Sequence, residues 1–552
     1  MFAQVHVIKR LPRGLSFFDY LVPPKLAVAV GDLVSLPFKG QEVRGVVRAL
    51  NESSRIKNPR EISRVLVKDF FSLKDFVRFE RIAELLEQSP SSLLFATFGR
   101  SPKPGVVPHL VATEKPSVSR ELVSDVRRYL LELEGKQELA IADSFEAGLV
   151  MAKALRAKTN KQMLVLVPQE RSVELVARYV DFPGSVASMH GKTPERVRGA
   201  IVEAWANGKL RTLIATRQAA LLPAKELGVA VVLQSGNEEH LSTRRNPRFD
   251  AREALRLLAA DHQAPIVWLD DLPRLEEARL DLVLPERRMA EVQIVNMAAK
   301  EEKNAHPHLS ESLLEQIKKA LQSQKKVLLC FNRKGVAKRL QCSDCGHLPL
   351  CGNCGHPPVL RQSDLVCPAC GTEMWYPKQC PACGGKKLKL KGLGKANIAL
   401  SLRKLFPGIA IGEVEKGKPK DTQARIIVAT DYFFTSVLQP FAAKEFALAA
   451  DLAADLSLFA DDFRSQEKAA RKFLRLRNFG AAQGAVTMVQ TWLPEVFRSM
   501  NNPTNFLQTE LATRRRYGLP PFASRLETTA RQQVIYDGPY GKSQNHDSAK
   551  ES

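Results

Sequence analysis

No window of this 552-residue chain approaches the ~20 uninterrupted apolar residues that a membrane-spanning helix needs. The richest stretch, Phe446 to Phe459, is broken by Asp451 and Asp455. The opening segment MFAQVHVIKR alternates apolar and polar residues like a strand and lacks the unbroken apolar core of a secretory signal. Membrane partners are therefore not expected, and the expected location is cytoplasmic. Acidic residues are also in short supply: 82 Lys and Arg stand against 59 Asp and Glu, a formal net charge of +23. That excess attracts polyanions, nucleic acid above all. Basic clusters recur at Arg244, Arg245 and Arg248, at Lys386 to Lys395, at Arg471 to Arg477 and at Arg514 to Arg516. Each alone reads as a solvated surface, whereas together they favour a nucleic-acid partner.

Cysteine is nearly absent outside one short region. Cys330 follows Val327, Leu328 and Leu329 and reads as a residue of a buried strand. The other eight form four Cys-x-x-Cys pairs, Cys342 and Cys345, Cys351 and Cys354, Cys367 and Cys370, Cys380 and Cys383. A glycine follows each pair: Gly346, Gly355, Gly371 and Gly384. Two thiolates three positions apart reach one metal from a tight turn, and the glycine accepts the backbone angles that aim amides at the sulfurs. Four such turns make two tetrahedral zinc sites. The segment has few large apolar side chains, so metal affinity is expected to be part of its folding energy. Disulfides do not suit a reducing compartment. A single iron–sulfur cluster would leave four cysteines unexplained. Spacing alone does not say which pairs share an ion.

The flanks of this region carry a resemblance. Leu329-Cys330-Phe331-Asn332-Arg333-Lys334-Gly335 precedes the cysteines, while Gly392-Leu393-Gly394, Leu405-Phe406-Pro407-Gly408 and Asp462-Phe463-Arg464-Ser465 follow them. This order resembles the primosomal protein N′ (PriA) family, helicases that restart stalled replication forks. The resemblance implies an α/β multidomain chain: two RecA-like helicase lobes of parallel α/β type, a small N-terminal β-rich domain, and a two-zinc insertion in lobe 2. It also implies that the outer cysteine pairs (Cys342, Cys345, Cys380, Cys383) share one zinc and the inner pairs (Cys351, Cys354, Cys367, Cys370) the other.

Near the start, Phe18-Asp19-Tyr20, Leu36-Pro37-Phe38 and Gly45-Val46-Val47 resemble the family domain that captures the 3′-terminal nucleotide of a nascent strand. There the acidic residue accepts a hydrogen bond from the 3′-hydroxyl, a role that would fall to Asp19. Aromatic faces stack on bases and a carboxylate reads a hydroxyl. Lys39 stands where the family has glycine, so the expected DNA-contacting set is Phe18, Asp19, Tyr20 and Lys39. Without the family, Phe18 and Tyr20 would read as core aromatics. Arg515-Arg516-Tyr517-Gly518-Leu519-Pro520-Pro521-Phe522 resembles the opening of the family's last domain.

The resemblance fails where ATP should bind. The family's phosphate loop, Gly-x-x-x-x-Gly-Lys-Thr, is replaced by Leu139-Ala140-Ile141-Ala142-Asp143-Ser144-Phe145-Glu146-Ala147-Gly148, with no lysine and with carboxylates that would repel a triphosphate. His190-Gly191-Lys192-Thr193 contains Gly-Lys-Thr, but Val186 stands where the first loop glycine belongs. The family's Asp-Glu-Glu-His finds only Leu233-Gln234-Ser235-Gly236 in register, with Asn237-Glu238-Glu239-His240 four residues late. Gly-Ser-Ala-Thr-Pro reads Leu269-Asp270-Asp271-Leu272-Pro273, and Gly-Thr-Gln-Met-x-x-Lys-Gly reads Ala429 to Ser436. The arginine-finger segment falls near Arg475 to Ala482, where neither glycines nor arginines align; such a finger is worth ~10³ to 10⁵ in turnover. ATP and magnesium are therefore not expected as cofactors.

The expected organisation is a 3′-end-binding domain at 1–95 and a linker at 96–119, with no room for the family's winged helix. Lobe 1 follows at 120–285 and lobe 2 at 286–500 with its zinc insertion at 340–392. A truncated C-terminal domain at 501–552 ends in a polar tail from Gly541 that reads as disordered. The expected function is a DNA-binding replication-restart protein for branched forks and recessed 3′ ends, with primosome or single-strand-binding proteins as candidate partners. An ATP-dependent 3′-to-5′ helicase with a divergent site is the alternative. An RNA-binding zinc scaffold is permitted by charge and supported by no motif.

Overall fold

The computed structural model describes the chain apart from residues 13, 55, 87, 99–105, 109, 111, 243–247, 280, 288, 303–307, 332–338, 362–363, 375–377, 392–397, 418–420, 461, 523–525, 530–531 and 536–552. Arg244, Arg245, Asn332 to Gly335, Gly392 to Gly394, Lys395 and the polar tail thus lie outside the described residues. The chain divides into two compact units. The first is chiefly Met1–Ile141 with Phe145–Asp270, and the second chiefly Asp271–Ser524 with Ala142–Ser144. The second unit thus begins at Asp271, ahead of the expected lobe boundary at 285–286.

The first unit opens with β1 (Phe2–Val7), β2 (Phe18–Leu21), β3 (Leu33–Phe38), β4 (Gln41–Asn51) and β5 (Arg64–Val67), in the order β2-β1-β4-β3-β5 with antiparallel pairing. Alternation sends Ala3, Val5, Tyr20, Val34, Leu36 and Val47 into one core. Two helices follow, α1 (Leu73–Leu85) and α2 (Pro90–Phe98), so the expected boundary at 95 falls inside a helix. Ser72 and Asp75 form a reciprocal capping box on α1.

Next come α3 (Arg120–Glu132), β6 (Glu138–Ala142), α4 (Phe145–Lys158), β7 (Gln162–Leu166), α5 (Glu170–Tyr179), β8 (Val186–Met189), α6 (Glu195–Ala206), β9 (Thr212–Ala215), β10 (Leu227–Leu233), α7 (Ala251–His262) and β11 (Ile266–Asp270). Strands β6, β11, β10, β7, β9 and β8 lie side by side, and β11-β10-β7-β9-β8 pair in parallel. Their near-continuous apolar composition follows from helices covering both faces of a parallel sheet. On α1, Arg78 pairs with Asp261 of α7, and Lys74 Nζ donates to the Asp261 carbonyl at 2.9 Å. The β-rich region is thereby fastened directly to the α/β layer.

The second unit contains α8 (Leu275–Ala278), β12 (Leu282–Val283), β13 (Val292–Asn296), α9 (Glu311–Gln322) and β14 (Lys326–Cys330). The cysteine insertion then contributes β15 (Arg339–Cys342), β16 (Val359–Arg361), β17 (Asp364–Val366), β18 (Glu373–Met374) and β19 (Leu388–Lys391). After it come α10 (Ile398–Leu405), β20 (Ile411–Val414), β21 (Ile426–Ala429), α11 (Tyr432–Ser436), β22 (Phe446–Asp451), α12 (Ser465–Gln483), β23 (Val486–Thr491), α13 (Pro494–Met500) and α14 (Pro503–Arg516). The main sheet, β13-β23-β22-β14-β21-β20, is parallel throughout. These two parallel α/β layers match the pair of parallel α/β lobes expected from the sequence. Cys330 closes β14 inside the core, as its apolar neighbours require. Among the described residues no helix is long and apolar enough to cross a membrane.

Candidate metal, nucleic-acid and nucleotide sites

The cysteine insertion builds the same turn four times. In each, the first cysteine's N–H bonds a carbonyl five residues on (His347, His356, Thr372 and Gly385), and the glycine N–H returns to the cysteine's own carbonyl at 2.8–3.0 Å. The glycines sit at φ +80°, +73°, +73° and +69°, the left-handed region where a side chain is strained. Strand pairing β15–β19 closes the outer turns together, and β16–β17 brings the inner turns together. The sulfurs gather into two sets of four, Cys342, Cys345, Cys380 and Cys383, and Cys351, Cys354, Cys367 and Cys370. Closest Sγ–Sγ separations across turns are 3.8 Å (Cys342–Cys383), 3.7 Å (Cys345–Cys380), 3.6 Å (Cys351–Cys370) and 3.4 Å (Cys354–Cys367). A tetrahedron with metal–sulfur bonds of ~2.3 Å has edges of about 3.8 Å, so both sets fit one four-coordinate ion each. The Cys345 and Asp344 amides hold the Cys342 thiol down to about 7. At Cys370 burial opposes ionisation, yet the Thr372 hydroxyl and amide bring the thiol to about 6.

In the β-rich region, Phe18 meets Phe38 edge-on at 5.1 Å, and Lys39 Nζ lies 5.9 Å from the Phe38 ring centre. Lys39 takes φ +47° at the β3–β4 turn, tolerated in a place where glycine would be unstrained. Tyr20 donates its hydroxyl to the Pro37 carbonyl at 3.1 Å, and burial pushes the phenol up to about 12 against the pull of Arg60. Phe18, Tyr20 and Lys39 therefore gather around Phe38 and Pro37. Asp19 lies on the opposite face of β2, opposite Gln4 in the ladder, and accepts the Ser54 hydroxyl at 2.6 Å. Ser54 and Arg60 were not among the expected residues. Nothing in their local sequence ties them to β2, because only the chain reversal after β4 brings them there.

At the position of the phosphate loop, β6 ends at Ala142 and α4 begins at Phe145, leaving Asp143 and Ser144 as the whole connection. Asp143 is fully buried. Its carboxylate accepts the Ser144 N–H at 2.6 Å and both terminal nitrogens of Arg287, Nη1 at 2.9 Å. His190 to Thr193 form a turn after β8, with the His190 N–H on Thr193 Oγ1 at 2.9 Å and Lys192 Nζ 3.0 Å from Glu170. After β10, Asn237 caps a short 3₁₀ turn by accepting the Glu239 N–H at 2.9 Å, Glu238 and Glu239 face solvent, and His240 is buried. Asp270 accepts the Gly236 N–H at 2.9 Å. Asp271 accepts from Arg475 Nε at 2.9 Å and Asn478 Nδ2 at 2.8 Å.

The arginine-finger segment is part of one continuous 19-residue helix, α12. Arg471 Nε donates to the Leu272 carbonyl at 2.7 Å, and Arg477 Nη1 to the Asn501 carbonyl at 3.0 Å. The basic clusters at Arg471 to Arg477 and Arg514 to Arg516 are in part interior. Arg471, Arg477 and Arg514 are buried and serve hydrogen bonds and ion pairs, which corrects their reading as solvated surface. The helical period places them on the face of α12 and α14 that packs inward.

Residues 6–115 match the family model of the 3′DNA-binding domain (3′BD) of PriA. Along most of its length the chain is similar to the replication restart protein PriA of Rickettsia felis, 25% identical over 93% of this chain and 85% of that protein. It is 26% identical to the same-named protein of Haemophilus influenzae over 66% of this chain and 54% of that one. The chain is thus similar to PriA proteins along most of its length. Among solved structures it is similar to the Escherichia coli DExH-box NTPase HrpB, at 11% identity and a TM-score of 0.34 over 68% of this chain and 42% of that chain. The PriA match begins at His6 and so takes in β2 with Phe18, Asp19 and Tyr20 and the β3–β4 turn with Lys39. It runs through α1 and α2 as well, which accords with their close packing on the β-rich region.

Proposed function

We propose that this chain is a replication-restart protein that binds branched DNA and recessed 3′ ends, carries two structural zinc ions, and does not hydrolyse ATP. The observation that carries the last clause is the two-residue connection between β6 and α4. A phosphate loop works by wrapping several backbone amides and a lysine around the phosphates. Two residues cannot wrap anything, and the Ser144 amide just ahead of the helix already serves Asp143. The Arg287 guanidinium balances that carboxylate, so the position is satisfied without a nucleotide.

The retained parts support DNA binding. The 3′-end domain matches its family, the net charge is +23, and both four-cysteine sets fit tetrahedral thiolate coordination, which suits zinc. Zinc would be held by Cys342, Cys345, Cys380 and Cys383, and by Cys351, Cys354, Cys367 and Cys370. It would supply folding energy there and no reaction chemistry. The residues 1–95 would hold the 3′ end, 120–285 and 286–500 would be lobes kept as scaffold, and primosome or single-strand-binding proteins would be the partners recruited.

The test measures phosphate release from ATP with and without forked DNA, beside binding of the same DNA. Tight, fork-preferring binding with no release above background is expected. Release that is stimulated by forks and survives further purification would overturn the inactive reading in favour of a helicase. Binding with no preference for forks or 3′ ends would overturn the replication-restart reading itself.

A further inference from the structure

We infer that the inner cysteine set, and not the outer one, is the keystone that fastens α14 to α12, so the two metal ions have different structural tasks. The inference rests on the metal reading above. The inner turn Cys351 to Gly355 includes His356 in its backbone, since the Cys351 N–H donates to the His356 carbonyl at 2.9 Å. The His356 ring is 2% exposed, and its Nε2 lies 3.5 Å from Glu510 Oε2 on α14. From the same turn, the Asn353 carbonyl accepts the Tyr517 hydroxyl at 2.8 Å. Asn353 Nδ2 also donates to Thr372 Oγ1 at 3.2 Å, and that oxygen is 3.0 Å from Cys370 Sγ. The metal-bearing turns and the end of α14 are thus one hydrogen-bonded body.

From Glu510 a chain of buried charges runs inward. Arg514 Nε donates to Glu510 Oε1 at 3.1 Å, and Arg514 Nη2 to Glu467 Oε2 on α12 at 2.9 Å. Arg471 reaches Glu467 Oε1 at 2.7 Å. Arg464 lies 3.4 Å from Glu467 and donates to Glu276 of α8 at 2.6 Å. Glu276, Glu467 and Glu510 are each at most 3% exposed and Arg514 is fully buried. Three carboxylates and three guanidiniums thus share one largely buried network. Such a network is stable only while every member keeps its place, because a displaced partner leaves an uncompensated buried charge. His356 packs against Glu510 at the end of this network, and the inner metal fixes its position.

The outer set is anchored differently. Its Gly346 lies against the Trp492 indole, where an added Cβ would be 3.3 Å from the ring, and Cys383 is exposed beside the surface pair Lys387 and Asp344. Loss of an ion there leaves Glu510 and Arg514 untouched.

The experiment uses the full chain as purified. Metal per chain is counted by elemental mass spectrometry and backbone hydrogen exchange is followed in α14 and α12, for the wild type and three variants. These are Cys367→Ser with Cys370→Ser, Cys380→Ser with Cys383→Ser, and His356→Ala. Two ions are expected in the wild type and one in each cysteine variant. Exchange in α14 should rise about tenfold or more in the inner variant and stay within about twofold in the outer one. His356→Ala should keep both ions and reproduce the rise in α14, and it decides alone if the inner variant does not fold. Equal loosening of α14 by the inner and outer variants, or full protection of α14 in His356→Ala, overturns the inference. A wild type without metal overturns instead the reading on which it rests.

Discussion

The cysteine insertion and the connection after β6 are two places where a PriA-like protein would hold an inorganic group, a metal ion in one and phosphates in the other. In the insertion every feature needed to hold the group is intact: eight thiols, four glycines at positive φ and repeated backbone turns. After β6 the connection is two residues long, and a carboxylate of the chain itself sits against the helix start with its own guanidinium partner. Both solutions would keep a fold, one through a bound ion and the other through an internal ion pair. A position that must only be stable can change its occupant freely, whereas a position that must bind something from solution cannot. On the function proposed above, the metal turns would still be under a binding requirement and the β6–α4 connection would not.

The sharpest way to break the comparison is to remove the metal. A strong chelator applied to the full chain should unfold residues 340–391, seen as protease cleavage confined to that insertion, because apparent zinc affinities of ~10–16 kcal/mol are then withdrawn from its folding. An insertion that stays protease-resistant without metal would mean that the turns stand on their own packing. That outcome would remove the contrast with the β6–α4 connection.

The second test addresses the other side. Asp143→Ala leaves Arg287 without its carboxylate in a partly buried setting, for which a loss of about 3 kcal/mol of stability is expected, read by denaturant unfolding. A vestigial phosphate loop would tolerate alanine with no loss. Mg-ATP at millimolar concentration should leave the melting temperature of the wild type unmoved, since a ligand stabilises only what it binds.

How far the sequence disclosed this contrast depends on distance along the chain. The metal turns were legible because each ligand pair, its glycine and its amides lie within five residues, so local spacing encodes them. The parallel layers were legible from continuous apolar runs such as Met163 to Val167. The absence of the phosphate-loop lysine was also legible, but its replacement was not, since Arg287 lies 144 residues from Asp143. The same limit explains the arginines of α12, which look like a basic surface in sequence. Their carboxylate and carbonyl partners are Glu467 nearby and Asp271 and Leu272 some 200 positions away. The Phe18-Asp19-Tyr20 run was legible as a resemblance, yet strand alternation separates Asp19 from the two aromatic rings.

That separation gives the third test, which asks whether the 3′-end domain behaves like the kept metal turns or like the filled loop. Asp19→Ala should weaken binding to a recessed 3′-hydroxyl end about tenfold, roughly 1.4 kcal/mol, and spare a 3′-phosphate end, measured by fluorescence anisotropy. Equal weakening of both ends would show that Asp19 acts by holding Ser54 and the strand, not by reading the hydroxyl. Phe18→Ala tests the opposite face of β2. If that face carries the contact, it should weaken both ends alike through lost stacking.

The smallest expected effect concerns the carboxyl end of the second sheet, where Asp451 pairs with Cys330 in the ladder between β22 and β14. Burial pushes the Asp451 carboxyl up to about 7, with the Ala453 amide and Lys472 pulling it down and Asp431 and Asp455 pushing it further up. Lys472 is itself drawn 2.9 Å from Asp431, so it compensates Asp451 only in part. A carboxyl whose folded value lies above its unfolded one binds more protons in the native state. Stability therefore falls as pH rises from about 4 to about 7 and is flat beyond. Asp451→Asn keeps an oxygen for the Ala453 N–H, which donates at 3.0 Å, and removes the half-buried charge. The variant should match the wild type near pH 4 and exceed it by about 1 kcal/mol or more at pH 8, read from melting temperatures at the two values. A wild-type advantage at pH 8 would mean that the ionised carboxylate is wanted there. The second sheet would then keep a charged group for a partner, as the metal turns do, instead of a residue tolerated by the scaffold.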